Sequence, residues 1–234
     1  MLAVMLTGAL LALFGQTYQT GADVYELFLG WALLTLPWVA ACRFSPCWGL
    51  WLLLTNLSAL FFSGWSDHIG PFSWIFSSRF GLTAWALPFA LNAIAYVAVE
   101  ALFRSKVPGF DARWLGRAAM TAAMGFATAN VIILIINLWD SDTPKLLTPL
   151  MFIAASAGLF VYAFWRKDEL FPFAVLGLAW VIVTATALSR AMIEAKAGIA
   201  GVLVVAVYII AAAAGAAKGI AFIGKLWKVE QAEA

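Results

Sequence analysis

The sequence predicts an all-α polytopic membrane protein, a single transmembrane domain of about eight helices with both termini cytoplasmic. Three observations lead there. First, of 234 residues 65% are hydrophobic and only 11% are charged, with a mean hydropathy of +0.95. A soluble domain carries about 25% charged residues, so this chain has too few to cover a water-facing surface, and lipid is its solvent. Second, eight apolar segments reach or approach the about 20 residues that a helix needs to cross a bilayer. Third, the basic residues are distributed unevenly between alternate loops.

The segments are placed at 1–15, 26–42, 46–62, 83–103, 116–138, 147–165, 170–188 and 199–217, followed by a basic cytoplasmic tail at 218–234. The first is short for a full span. Its apolar run has the length of a signal-peptide core, but it lacks a basic n-region, and the polar run from Gln16 to Ala22 is a poor cleavage site. It therefore reads as a helix. Gly15, Pro46, Pro71, Pro108, Pro144 and Pro172 mark joints between segments. No polar stretch is long enough for a soluble domain.

With the N-terminus inside, the cytoplasmic loops and tail hold Arg43, Arg104, Lys106, Arg113, Arg117, Arg166, Lys167, Lys218, Lys225 and Lys228, ten of the fourteen basic residues. Arg79, Lys145, Arg190 and Lys196 fall outside. This bias follows the positive-inside rule and supports an even number of helices. Trp48, Trp65, Trp85, Trp114, Trp139, Trp165 and Trp227 lie near predicted helix ends, where an indole keeps its ring half buried and its N–H wet. Rows of small residues, Ala119/Ala123/Ala127 and Ala211/Gly215/Gly219, suit close helix approach in lipid, within the monomer or across a homodimer seam. The three tail lysines suit anionic lipid.

Composition also limits the chemistry. A net charge of +2 suggests no nucleic-acid partner. The two cysteines, Cys42 and Cys47, have no zinc or redox spacing, and a lone histidine, His68, cannot build a histidine metal site. No cofactor fingerprint occurs, so neither metal nor cofactor is expected. No ionisable group is securely central in the membrane. Glu100 pairs with Arg104 at i,i+4 near a helix end, and Arg190 with Glu194 in an outer loop.

Two polar features stand out. Between the first two helices lies the run Phe14 to Trp31. Gly15 is expected to stop the first helix. Asp23 and Glu26 have the spacing of a capping box that starts the second, and both acids suit its dipole. Gln16, Thr17, Tyr18, Gln19 and Thr20 exceed what a turn needs. They read either as an interfacial turn or as a binding segment in which Gln16, Tyr18 and Gln19 orient a ligand. The second feature is three amides, Asn56, Asn92 and Asn130, all roughly 10–14 Å below the outer surface at about 1.5 Å per residue. They read either as interhelical hydrogen bonds or as the lining of a shared polar path. A third candidate, Asp67, His68 and Arg79 in the longest outer loop, supplies an acid, a base and a cation, but no nucleophile motif accompanies them.

Gly15, Gln16, Tyr18, Gly21, Leu27, Phe28, Trp31, Ala32, Leu33, Leu36 and Pro37 form a G-Q-x-Y-x-x-G run that continues to L-P. That run resembles the bacterial predicted membrane proteins of domain of unknown function 2157, over roughly residues 8–62. The resemblance implies a multi-pass protein of the bacterial inner membrane and supplies no reaction. Such proteins usually carry a cytoplasmic lead and further helices before the run, whereas here only fourteen residues precede Gly15, as expected of a short form, a mis-set start or a fragment.

The leading expectation is a non-enzymatic protein that binds or passes a small or lipidic ligand from the outer face, a transporter being one form of it. The alternative is a scaffold of the envelope that binds another membrane protein through its small-residue helix faces. A lipid-headgroup enzyme built on Asp67, His68 and Arg79 is the third. The partners expected are the lipid bilayer and another membrane protein or a second copy.

Overall fold

The computed structural model describes residues 2–18, 23–62, 83–108, 110, 113–136, 147–167 and 169–233. They form eight helices and, among the described residues, no strand: α1 (Leu2–Tyr18), α2 (Val24–Ala41), α3 (Ser45–Phe62), α4 (Thr83–Arg104), α5 (Arg113–Ile136), α6 (Leu147–Arg166), α7 (Phe171–Glu194) and α8 (Gly198–Glu233). Seven are long and apolar enough to cross a membrane, and the apolar part of α1, Leu2–Leu13, is shorter. This is an all-α polytopic membrane protein.

Four boundaries differ by three residues or more from those expected: helix α5 begins three residues early, at Arg113, and three helix ends run on. Helix α1 continues three residues beyond Gly15. Helix α7 continues to Glu194, so the Arg190–Glu194 pair lies on the helix and not in a loop, with Arg190 Nε donating to Glu194 Oε1 at 2.8 Å. Such an i,i+4 pair supports the last turn that carries it. Helix α8 absorbs the tail and is 36 residues long, about 54 Å at 1.5 Å per residue. Alanine, lysine and glutamate are good helix formers, so nothing in the tail breaks the helix.

Packing divides the chain into two compact units, Met1–Ala123 and Met124–Ala234. In the first, α1 meets α2 where the Trp31 indole lies over Gly8. A Cβ at Gly8 would collide with the indole ring, and Trp31 Nε1 donates to the Val4 carbonyl at 2.6 Å. Helices α2 and α3 are joined by Trp51 Nε1 donating to the Ala32 carbonyl at 3.0 Å and Ser58 Oγ donating to the Tyr25 carbonyl at 3.1 Å. Phe28 stacks on Phe61 beside them, with centroids 5.4 Å apart. The start of α5 docks on α3 through Trp114, whose indole covers Gly49 and whose Nε1 donates to Ser45 Oγ at 3.1 Å. The Trp31 and Trp114 indoles each occupy space that a side chain larger than hydrogen would fill.

In the second unit α7 and α8 form an antiparallel hairpin. One stripe of α8, including Gly201, Tyr208, Ala212, Ala216, Ile220 and Trp227, is buried or half-buried, while most intervening positions are exposed. Gly177 admits Ala216, whose Cβ would stand 3.2 Å from a Cβ at that glycine. Tyr208 donates to Thr184 Oγ1 at 2.6 Å, and Thr184 donates to the Trp180 carbonyl at 2.6 Å. Trp227 is not an interfacial indole. It is buried against Ala163 and Phe173, because the continuing helix carries it onto the end of α6.

Four helix ends share an unexpected closure. Arg43, Lys106, Lys167 and Lys196 adopt left-handed backbone, with φ of 46°, 52°, 51° and 53°. At α4, Lys106 N–H donates to the Phe103 carbonyl and Val107 N–H to that of Leu102, both at 3.1 Å. At α7, Lys196 N–H donates to Ile193 (3.0 Å) and Ala197 N–H to Met192 (3.1 Å). This is the Schellman pattern, usually closed by glycine. A basic residue there offsets the carbonyl end of the helix dipole.

Candidate functional site

The polar run between α1 and α2 is built mostly from helix. Gly15 does not stop α1: the chain remains helical through Tyr18, and the left-handed residues do not include it. A broken helix near lipid would expose backbone groups without partners, so a glycine without another stop signal is carried through. Gln16 and Tyr18 therefore lie on the last helical turn, and Gln19 lies outside the described residues.

Asp23 occupies the N-cap position of α2 with the extended backbone expected there (φ −65°, ψ 149°), but its side chain makes no capping bond. The capping box closes through backbone instead, Glu26 N–H donating to the Asp23 carbonyl at 3.0 Å. The Glu26 carboxylate accepts from the Tyr25 hydroxyl at 3.4 Å rather than from the Asp23 amide. Both carboxylates are exposed, and water satisfies them as well as the cap would. They still place negative charge at the helix start.

Two of the three deep amides meet. Asn56 Nδ2 donates to Asn92 Oδ1 at 3.2 Å, and Asn92 Nδ2 donates to Asn56 Oδ1 at 2.5 Å. Each amide spends its second proton one turn back on its own helix, Asn56 on the Leu52 carbonyl at 2.8 Å and Asn92 on that of Pro88 at 2.7 Å. Asn92 is 0% exposed and Asn56 9%. A primary amide has two N–H donors, so all four donors of the pair are used. The arrangement clamps α3 to α4 and leaves no amide proton for a ligand.

Asn130 belongs to the second unit. It is buried, and its Nδ2 has no hydrogen-bond partner. Ser156, near the middle of α6, is similar, with a buried Oγ that lacks a partner. It borders a groove of about 480 Å3 between α6, α7 and α8, walled mainly by apolar side chains including Phe160, Trp180 and Ile220. Nothing in the sequence distinguished Ser156, because a serine in a membrane helix usually returns its proton to the preceding turn. Asp67, His68 and Arg79 lie outside the described residues.

Phe28, Trp31 and Ala32 are thus contact residues of α1–α3, whereas Leu33 and Leu36 of the same run are exposed. The shared pattern marks a helix junction. Residues 1–48 match the model of a family described as predicted membrane protein (DUF2157). The match spans the whole run from Gly15 to Pro37. The family description assigns no activity, and neither a curated protein nor a solved structure matches this chain.

Proposed function

We propose that this chain is a non-enzymatic scaffold of the bacterial inner membrane, with both termini cytoplasmic, that holds another membrane helix against α8. One observation carries the reading. The row Ala211, Gly215 and Gly219 is exposed, and beyond the helix's own nearby backbone no atom stands within 4 Å of where a Cβ on Gly215 or Gly219 would lie. The row is offset by one residue from the packed positions Ala212, Ala216 and Ile220. Small residues in lipid gain association energy by letting backbones approach, and this row has not spent that capacity within its own unit.

Single cysteines placed at 211, 215 and 219 in membranes test it. A discrete cross-linked species is expected from these positions and not from Ala212 or Ala216, and Gly215→Leu should abolish it. Equal labelling at all five positions, or none at the row, would sink the reading.

A second reading is favoured by the unpartnered Asn130 amide: a small or lipidic ligand taken from the outer face and met by Asn130 within the second unit. It requires Asn130→Ala to weaken retention of a co-purifying ligand without lowering thermal stability. A loss of stability with unchanged retention would argue for packing alone.

A further inference from the structure

The closed end of the α7–α8 hairpin carries a feature that the scaffold reading does not use. A groove of about 510 Å3 opens there, bordered by Ser189 and Met192 of α7, Lys196 in the turn, and Gly201, Val202 and Val205 of α8. Gly201 makes the fit possible. A Cβ on it would stand 3.0 Å from that of Ala197 and 3.1 Å from that of Met192, so any other residue would make those two give way by a few tenths of an ångström.

The groove has a graded polarity that matches the bilayer. Helix α8 runs 20 positions from Gly198 to Lys218, roughly 30 Å, the thickness of a hydrocarbon core. That separation puts Lys196 at one headgroup level. Val205 lies seven positions into α8 from Gly198, roughly 10 Å deeper and inside one leaflet. The groove therefore begins at an ammonium and continues along apolar walls.

Among the described residues the charge at its mouth is unbalanced. Arg190 and Glu194 neutralise each other at 2.8 Å, and among the described residues no carboxylate pairs with Lys196. The turn keeps one positive charge at the level of the lipid phosphates. Ser189 Oγ spends its proton on the Ala185 carbonyl at 2.8 Å, so it faces the groove as an acceptor and competes for no anion.

We propose that this groove holds one acyl chain of an anionic phospholipid, with the lipid phosphate against the Lys196 ammonium. The occupant follows from the charge and from the depth profile together. A zwitterionic lipid would bring its own cation to Lys196, and a protein helix would bury the ammonium without a counter-charge.

The full chain, reconstituted in vesicles of equal dioleoyl phosphatidylglycerol and dioleoyl phosphatidylcholine, tests the proposal by native mass spectrometry of the lipid retained. One phosphatidylglycerol per chain is expected. Lys196→Gln should lower the preference for it about fivefold, the weight of one lysine near an anionic surface. Val202→Phe fills the groove and leaves every charge in place, and should remove the retained lipid. Val202 is exposed, so the larger ring does not strain the fold. Lys218→Gln, the same charge removed far from the groove, should lower the preference much less than Lys196→Gln does. The proposal is overturned if Lys196→Gln retains the original preference, if Lys218→Gln loses as much as Lys196→Gln, or if Val202→Phe keeps its lipid.

Discussion

Asn56 and Asn92 hold each other by two reciprocal amide hydrogen bonds, at 3.2 and 2.5 Å, between α3 and α4. In lipid, a donor that loses its partner cannot turn to water. Asn92→Leu should therefore destabilise the protein by about 1–3 kcal/mol, mostly through the Asn56 groups left unsatisfied. The double replacement Asn56→Leu with Asn92→Leu should recover part of that loss. Thermal unfolding in detergent for the four members of the cycle measures the coupling, and strict additivity would show that the pair contributes nothing as a pair.

Gly8 and Trp31 set the distance between α1 and α2. Gly8→Leu should separate the helices at a cost of about 1–3 kcal/mol, as overpacking does elsewhere. Trp31→Phe keeps most of the contact but loses the bond to the Val4 carbonyl, at about 0.5–1.5 kcal/mol. Protease accessibility of the α1–α2 connection reports the first effect. Unaltered cleavage in Gly8→Leu would mean that the two helices are not held by this contact.

Tyr208 and Thr184 link α8 to α7 through a two-step relay that ends on the Trp180 carbonyl. Tyr208→Phe should cost about 0.6 kcal/mol, the mean for a side-chain bond between membrane helices. Thr184→Val should cost at least as much, and the two together little more than Thr184→Val alone. A Tyr208→Phe protein with unchanged melting temperature would remove the relay from the account of the hairpin.

Lys106 closes α4 with φ of 52°. A β-branched side chain is a poor fit to left-handed backbone, so Lys106→Val should destabilise by about 1–2 kcal/mol. Lys106→Gly should be neutral or mildly stabilising. If valine and glycine behave alike by thermal unfolding, the closure at α4 is not a point of strain.

Much of this architecture is legible in the sequence because the bilayer imposes one length on every span. The positions of the helices follow from apolar runs alone. That Asn56 and Asn92 stand at one level is also legible, since level is counted along the helix. Their mutual bond is not, because residue counting carries no information on which face of α3 meets which face of α4. The continuation of α8 through the tail is hard to read in the sequence for a related reason. Lys218, Lys225 and Lys228 resemble the end of a span, while Ile220, Ile223 and Trp227 lie between them on the packed side. Read as a block the segment is a basic anchor, and read by helical turn it continues α8. The end of α1 was placed too early because a glycine was given the weight that at other ends belongs to lysine or arginine.

Those basic left-handed residues join two kinds of information in one side chain. On the charge-biased orientation, Arg43, Lys106 and Lys167 all fall on the cytoplasmic side, where their charge directs insertion, and each also bends the chain at the end of its helix. Substituting one of them would alter, in a single step, both the direction in which a newly made segment enters the membrane and the point at which it turns. Sidedness and local chain geometry would then have to be inherited together, and a glycine, which serves the turn equally well, would carry no instruction for the insertion machinery.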